Sequence, residues 1–410
     1  MAQSLIESTC EDKCIDPINT GVKHHQQTSQ TNNNEKTPII LKDTTPRVAS
    51  RCRKLVVLIC CVLLHTIVNG IGYGLSIMYA ELIIVFNAPR AQASLIQGLY
   101  MGFSTGAGIL FVGVIKKFGP GCCIIVGTLF ACVGFFASGF CVDINGIILL
   151  TGCLAAIGMC LCYLSAFLTV GWIFYSNPGV YLTSLTIGSS LGQFLVPVFY
   201  EIFIEKYTWA GAFILLSGIS LQCLPIGLMI YYSRDFFYIS DVREIENSKK
   251  SLCDVSICKD GVIWILLLNI HLLALTGNVE PWFIVDFMIS RGFSRDLGST
   301  LVSVIGIANF IGRLAGTAIR FKCTKFLTIY HWVYLCPIAA VAHALVINVY
   351  DYSSIMTLCL LYGISFGTIN AQTPTIMYEA IGLERYPTGI AMVNVMSGFG
   401  NILSNLLGGN

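Results

Sequence analysis

Stretches of about twenty apolar residues, repeated along the whole chain with only short polar turns between them, leave it few places to fold other than a lipid bilayer. A hydrocarbon core about 30 Å thick takes about 20 residues of α-helix to cross. Inside it every backbone N–H and C=O must be paired within the protein, so many such stretches in one chain imply a helix bundle. The spans read at 55–82, 91–115, 121–141, 146–173, 180–200, 210–232, 261–288, 297–319, 326–349, 354–378 and 388–407. Composition agrees: 11% of the 410 residues are charged, less than half of the roughly 25% usual for a soluble domain. The formal net charge of +2 gives no electrostatic hold on nucleic acid. The expected fold class is an all-α membrane protein with lipid around it.

Two segments break the apolar pattern. Residues 1–52 are rich in Gln, Asn, Thr, Lys and Glu, with no apolar core; this is a disordered tail rather than a signal peptide. Residues 233–260 carry Arg234, Asp235, Asp241, Arg243, Glu244, Glu246, Lys249, Lys250 and Asp254 and read as a linker. The organisation is then a tail (1–52), a six-helix bundle (53–232), a linker (233–260) and a second bundle (261–410). Two helix bundles joined by a polar linker are the plan of the major facilitator fold, in which substrates bind between the halves. Lys and Arg placement orients the chain. With a cytoplasmic N-terminus, the inside gathers Arg51, Arg53, Lys54, Lys116, Lys117, Arg320, Lys322, Lys325, Arg385 and the basic linker residues, and the outside only Arg90, Lys206, Arg291 and Arg295. Cytoplasmic loops carry such an excess.

Other classes find little support. The 18 cysteines are scattered, mostly inside apolar runs, with no C-x2-C pair; they read as small packing residues, and no metal or cofactor is expected. Cys10 and Cys14 lie in the tail, where acylation or metal binding is the alternative to plain solvation. No H-E-x-x-H zinc motif or phosphate loop occurs, and Gly102-Phe103-Ser104-Thr105-Gly106 falls inside an apolar helix rather than at a strand-to-helix turn, the context a serine nucleophile needs. No catalytic residues are expected.

Several short motifs resemble the monocarboxylate transporter family of the major facilitator superfamily. They are Asn69-Gly70-Ile71-Gly72-Tyr73-Gly74 in the first span, Gly113-Val114-Ile115-Lys116-Lys117-Phe118-Gly119 after the second, and Gly188-Ser189-Ser190-Leu191-Gly192 in the fifth. Further on come Tyr207-Thr208-Trp209-Ala210-Gly211, Ile305-Gly306-Ile307-Ala308-Asn309 with Gly312-Arg313, Tyr362-Gly363 with Phe366-Gly367 and Thr373-Pro374, and Gly382-Leu383-Glu384-Arg385. Order and spacing hold over 53–409. The resemblance implies a secondary transporter at the plasma membrane, working by alternating access on a small organic anion, a monocarboxylate or an amino-acid-like solute. It permits a single-span immunoglobulin-like chaperone as partner. It also implies twelve helices where eleven are visible. The departures include two positions of the family's proton-coupled members, Ile77 where a lysine is expected and Asn309 where an aspartate is, and in the signature motif Ser176, Asn177 and Pro178 replace a basic trio; proton-coupled transport is therefore not implied. A rival reading is a non-transporting sensor or scaffold derived from the same fold.

Arg313 is the principal candidate for ligand contact. A guanidinium in mid-membrane costs about 2.5–3.5 kcal/mol by insertion scales and cannot shed its proton, so it needs a partner: a substrate anion, or else helix carbonyls and an interior carboxylate. Asn309, one turn earlier, shares its face but can neither neutralise the charge nor carry a proton. Tyr73 and Asn69 on the first span, and Phe366, Asn370 and Thr373 on the tenth, recur at helical spacing and could line a cavity, packing being the plainer role. Candidate gating positions are Gly113, Lys117, Gly119, Gly188, Gly192, Pro281 and Glu379, for which the bland alternative is again packing or an inner structural contact. Glu280 and Asp286 near the outer end of the seventh span read as wet carboxylates, and His65, His271, His331 and His343 as ordinary hydrogen-bonding groups that could titrate.

Overall fold

The computed structural model describes residues 50–236, 259–322 and 327–408. The expected tail, with Cys10 and Cys14, lies outside them except for its last residues, as does most of the linker. All regular structure among the described residues is helical. Helix α1 (Arg51–Phe86) begins where the Ser50 side chain accepts the Arg53 N–H and ends at Asn87, in the left-handed conformation at φ 47°, a usual helix stop. Helix α2 runs Arg90–Gly106 and, after a 43° bend at Ala107, Gly108–Phe118. Gly119 at φ 86° then turns the chain into α3 (Pro120–Ser138), with proline in its first turn, where its missing N–H costs nothing. Helix α4 (Ile144–Ile173) is capped by Asp143 and widens to a π-helix over Ile148–Ala155.

Two further helices are too long for one crossing. Pro178–Tyr232 is broken at Thr208 into α5 (178–207) and α6 (209–232), and Tyr352–Gly408 is broken at Gly382, φ 75°, into α10 (352–381) and α11 (383–408). Between them lie α7 (Gly261–Gly277, then Val279–Ser290), α8 (Arg295–Lys322) and α9 (Ile329–Val346). Eleven spans result among the described residues. They follow the sequence reading in number and order; α1, α5 and α11 run longer than the spans read from sequence, and α2 and α7 are bent.

Glycines let helix backbones approach closely. A Cβ on Gly192 would overlap the Thr66 carbonyl oxygen of α1, and one on Gly188 that of Val62; these two positions, expected as gating sites, hold α5 against α1 within the first bundle. In the second bundle Gly312 and Gly367 do the same for α8 and α10, meeting the carbonyls of Ile364 and Asn309. Large apolar side chains such as Ile84, Leu110, Val133 and Val333 point outward, as a lipid-facing surface requires.

The bundles meet along two seams. Gly98, Gly102 and Gly106 of α2 pack on Asn405, Ile402 and Gly398 of α11. On the other side, near the face where α1 begins (the N-face), Thr183 of α5 bonds Thr375 of α10 hydroxyl to hydroxyl at 2.7 Å, and the Thr375 hydroxyl also donates to the Gly179 carbonyl at 2.8 Å.

Candidate functional site

Between the seams lies a central cavity lined from both bundles. Asn69 and Tyr73 of α1, Arg313 of α8, and Phe366, Asn370 and Thr373 of α10 all border it. Six of the seven candidate lining residues therefore converge. The seventh, Asn309, is 1% exposed and does not border the cavity; it stands behind Arg313, its Oδ1 accepting the Nε–H at 2.8 Å. The i, i+4 spacing predicts this pairing.

Arg313 is 6% exposed. Its Nη1–H donates to the Thr186 carbonyl oxygen at 3.0 Å, across from α8 to α5. That carbonyl sits at the junction of the helical segments Pro178–Leu185 and Ile187 onward, where it also accepts the Ser189 N–H. Both partners of Arg313 are neutral oxygens, and among the described residues no carboxylate pairs with it. The side chain is thus oriented without being neutralised. The rest of the lining is uncharged: hydroxyls of Tyr73, Tyr163, Thr105 and Ser189, amides, and the rings of Phe167 and Phe366. A permanently cationic fork in a neutral, partly apolar chamber has the chemistry to pair with an anionic group.

Three lining amides did not stand out in the sequence. Asn278, at the break in α7, donates from Nδ2 to Asn401 Oδ1 at 2.9 Å. The Asn278 Oδ1 and Asn394 Nδ2 atoms are buried at the cavity wall with no hydrogen-bond partner among the described protein groups. Asn394, Ser397 and Asn401 recur at i, i+3 and i+7 on α11, a polar stripe in an otherwise apolar helix that the sequence does carry.

The expected gating residues scatter. Glu379 forms a cluster at the N-face: Arg320 Nη2 meets its Oε1 at 2.9 Å, and the Thr328 backbone N–H and hydroxyl donate to Oε2 and Oε1, each at 2.8 Å. Gly179 of α5 lies beside the Arg320 guanidinium. Gly119 turns α2 into α3; Gly113 lies within α2, and Lys117 sits over the Phe118 ring at the surface. Pro281 follows the α7 break. The histidines differ among themselves: His65 stacks on Tyr163, His271 and His331 bond the Met396 carbonyl and Gln372, and His343 Nδ1 meets Glu280 Oε2 at 2.8 Å. Glu280 is 5% exposed, so the expected wet carboxylate is a buried one. The Asp286 side chain lies outside the described set.

Two helix bundles around a central polar chamber, each bundle contributing to its wall, define a membrane transporter of the alternating-access kind. The family model of the Major Facilitator Superfamily matches residues 58–405, and the chain belongs to that superfamily, whose members are transporters rather than enzymes. Among curated proteins it is similar to monocarboxylate transporter 4 of Gallus gallus, 23% identical over 334 residues covering 80% of this chain and 71% of that one. It is likewise similar to monocarboxylate transporter 6 of Homo sapiens, 23% identical over 375 residues covering 85% and 73%. The resemblance drawn from the motifs is met in these relatives. Among solved structures, a proton:xylose symporter bound to 6-bromo-6-deoxy-D-glucose superposes with a TM-score of 0.71 at 12% identity, covering 87% of this chain and 88% of that chain. A bacterial homologue of the human lysosomal transporter Spinster gives 0.59 at 14% identity.

Proposed function

We propose that this transporter carries a small organic anion, a monocarboxylate or an amino-acid-like zwitterion, and that Arg313 is the residue that holds its carboxylate. The observation that carries this reading is the oriented, unneutralised guanidinium at the cavity wall. Arginine's planar fork matches a carboxylate in bidentate fashion, and an anion beside it offsets the cost of a buried charge. Asn69, Asn370 and the α11 amides would hydrogen-bond the polar part of the solute, and Tyr73 and Phe366 would cover its apolar part. The curated relatives' names support the substrate class.

The same reading assigns the N-face to the cytoplasm of a plasma-membrane protein, because Arg51, Arg53, Lys54, Lys116, Lys117, Arg320, Lys322 and Arg385 gather there. The Arg320–Glu379–Thr328 cluster and the Thr183–Thr375 contact then form the inner closure. An immunoglobulin-like single-span partner is compatible with it.

The test is uptake of radiolabelled monocarboxylates, amino acids and creatine-like solutes by cells expressing the chain, with Arg313→Ala as control. At least one solute should accumulate above background and lose that accumulation in the variant. Uptake unaffected by Arg313→Ala contradicts the assignment, and failure of the whole panel in a surface-expressed protein favours a sensor or scaffold.

A further inference from the structure

Another ionisable cluster among the described residues lies apart from Arg313, in the half of the second bundle away from the N-face. It is built by the break in α7. Pro281 has no N–H, and its ring crowds the carbonyl four residues back, that of Gly277. That carbonyl accepts the Tyr362 hydroxyl of α10 instead. The helix restarts at Val279, which puts Glu280 in the first turn of a twelve-residue segment, where helix N–H groups favour a carboxylate. Its Oε2 meets His343 Nδ1 of α9 at 2.8 Å and its Oε1 meets Cys359 Sγ of α10 at 3.4 Å.

The two partners differ in access. The Glu280 side chain is 3% exposed and that of His343 34%, and His343 lies within the last turn of α9, which ends at Val346. His343 therefore stands between the outer boundary and a buried acid. The other groups around Glu280 are Cys359 and Tyr362 on α10, while α8 presents Leu301 and Ile305 to this part of α7. Among the described residues no lysine or arginine joins the cluster.

We propose that Glu280 and His343 form a proton-binding site that couples proton uptake, from the face opposite the N-face, to movement at the α7 break. The proton enters at the imidazole and resides between Nδ1 and Oε2, as imidazolium beside carboxylate or as carboxylic acid beside imidazole. Either form keeps the buried pair neutral. Removing the proton leaves a bare carboxylate in an apolar shell, which is unfavourable until the break opens to water. Proton occupancy and break geometry are thereby linked. The break also reaches the cavity: Asn278 bonds Asn401 at the wall, and Tyr362 stacks at 5.4 Å on Phe366, which borders the chamber and packs on Gly277. This site would supply the coupling that Asn309 cannot. The proposal rests on the transport reading, and its test separates the two.

The full chain is reconstituted into liposomes, with radiolabelled lactate, pyruvate and propionate as probes. Infrared difference spectra over a pH titration should reveal the bound proton, as a carboxylic-acid carbonyl stretch or as an imidazolium ring band, in a signal that is lost or displaced in pH in both Glu280→Gln and His343→Gln. A gradient of one pH unit should drive accumulation of a transported probe, approaching about tenfold for one proton per anion. Glu280→Gln should abolish that accumulation while retaining exchange of labelled for unlabelled probe, which also certifies that the variant is folded. An infrared band indifferent to Glu280→Gln, or gradient-driven accumulation equal in variant and wild type, overturns the proposal. If the wild type exchanges no probe, the small-anion reading is the one that fails, and the infrared band still decides the proton site.

Discussion

Arg313 and Arg320 stand seven residues apart on α8, about two turns along one helix face, and meet opposite surroundings. Arg320, at the N-face, closes on the Glu379 carboxylate, itself held by Thr328. Arg313, mid-membrane, has an amide oxygen and a main-chain carbonyl as partners and a cavity beside it. A half-buried cation with a carboxylate partner is a structural clasp. A buried cation with oriented but neutral partners keeps its charge uncompensated, which under the proposed function is the charge a solute anion meets. The difference between the two is the presence of one acid, and changes that add or remove a charge at either place test it.

The largest effect belongs to Arg313→Ala. Removing one member of a buried charge pair costs about 2–5 kcal/mol, roughly 30- to several-thousandfold in affinity, so saturable uptake of the anion should fall below detection. Asn309→Asp should come next. It converts the middle of α8 into a copy of its end by giving Arg313 a carboxylate, and should weaken anion binding by ~1.5–3 kcal/mol, read as a raised half-saturation concentration. Arg320→Gln should leave affinity nearly unchanged and loosen the N-face instead. With Thr373→Cys as a reporter at the cavity wall, thiol reagents applied from that face should label it several-fold faster. Thr375→Val removes one hydroxyl from the same seam, and at about 1 kcal/mol per hydrogen bond should give a smaller rise in labelling. Equal affinity losses from Arg313→Ala and Arg320→Gln would erase the distinction.

The eleven spans were legible because lipid imposes one rule, an apolar stretch long enough to cross, and the chain obeys it from Leu55 to Leu407. The lining residues on α1, α8 and α10 were legible because helical spacing puts Asn69 with Tyr73 and Phe366 with Asn370 on common faces. What helix geometry within one span cannot supply is the neighbour. The side chain of Glu280 looks wet beside the polar end of its own helix, and only the packing of α9 and α10 against α7 reveals that His343, Cys359 and Tyr362 enclose it. Gly188 and Gly192 show the converse: their spacing announced close approach, and the contact proves to be with α1 inside one bundle rather than at a moving seam.

The most direct test of the central claim is the thermal stability of the purified protein with and without a series of monocarboxylates. A carboxylate held by Arg313 should raise the melting temperature of the wild type and of Arg320→Gln, and leave Arg313→Ala where it was. Stabilisation that persists in Arg313→Ala, or that disappears in Arg320→Gln instead, would contradict it.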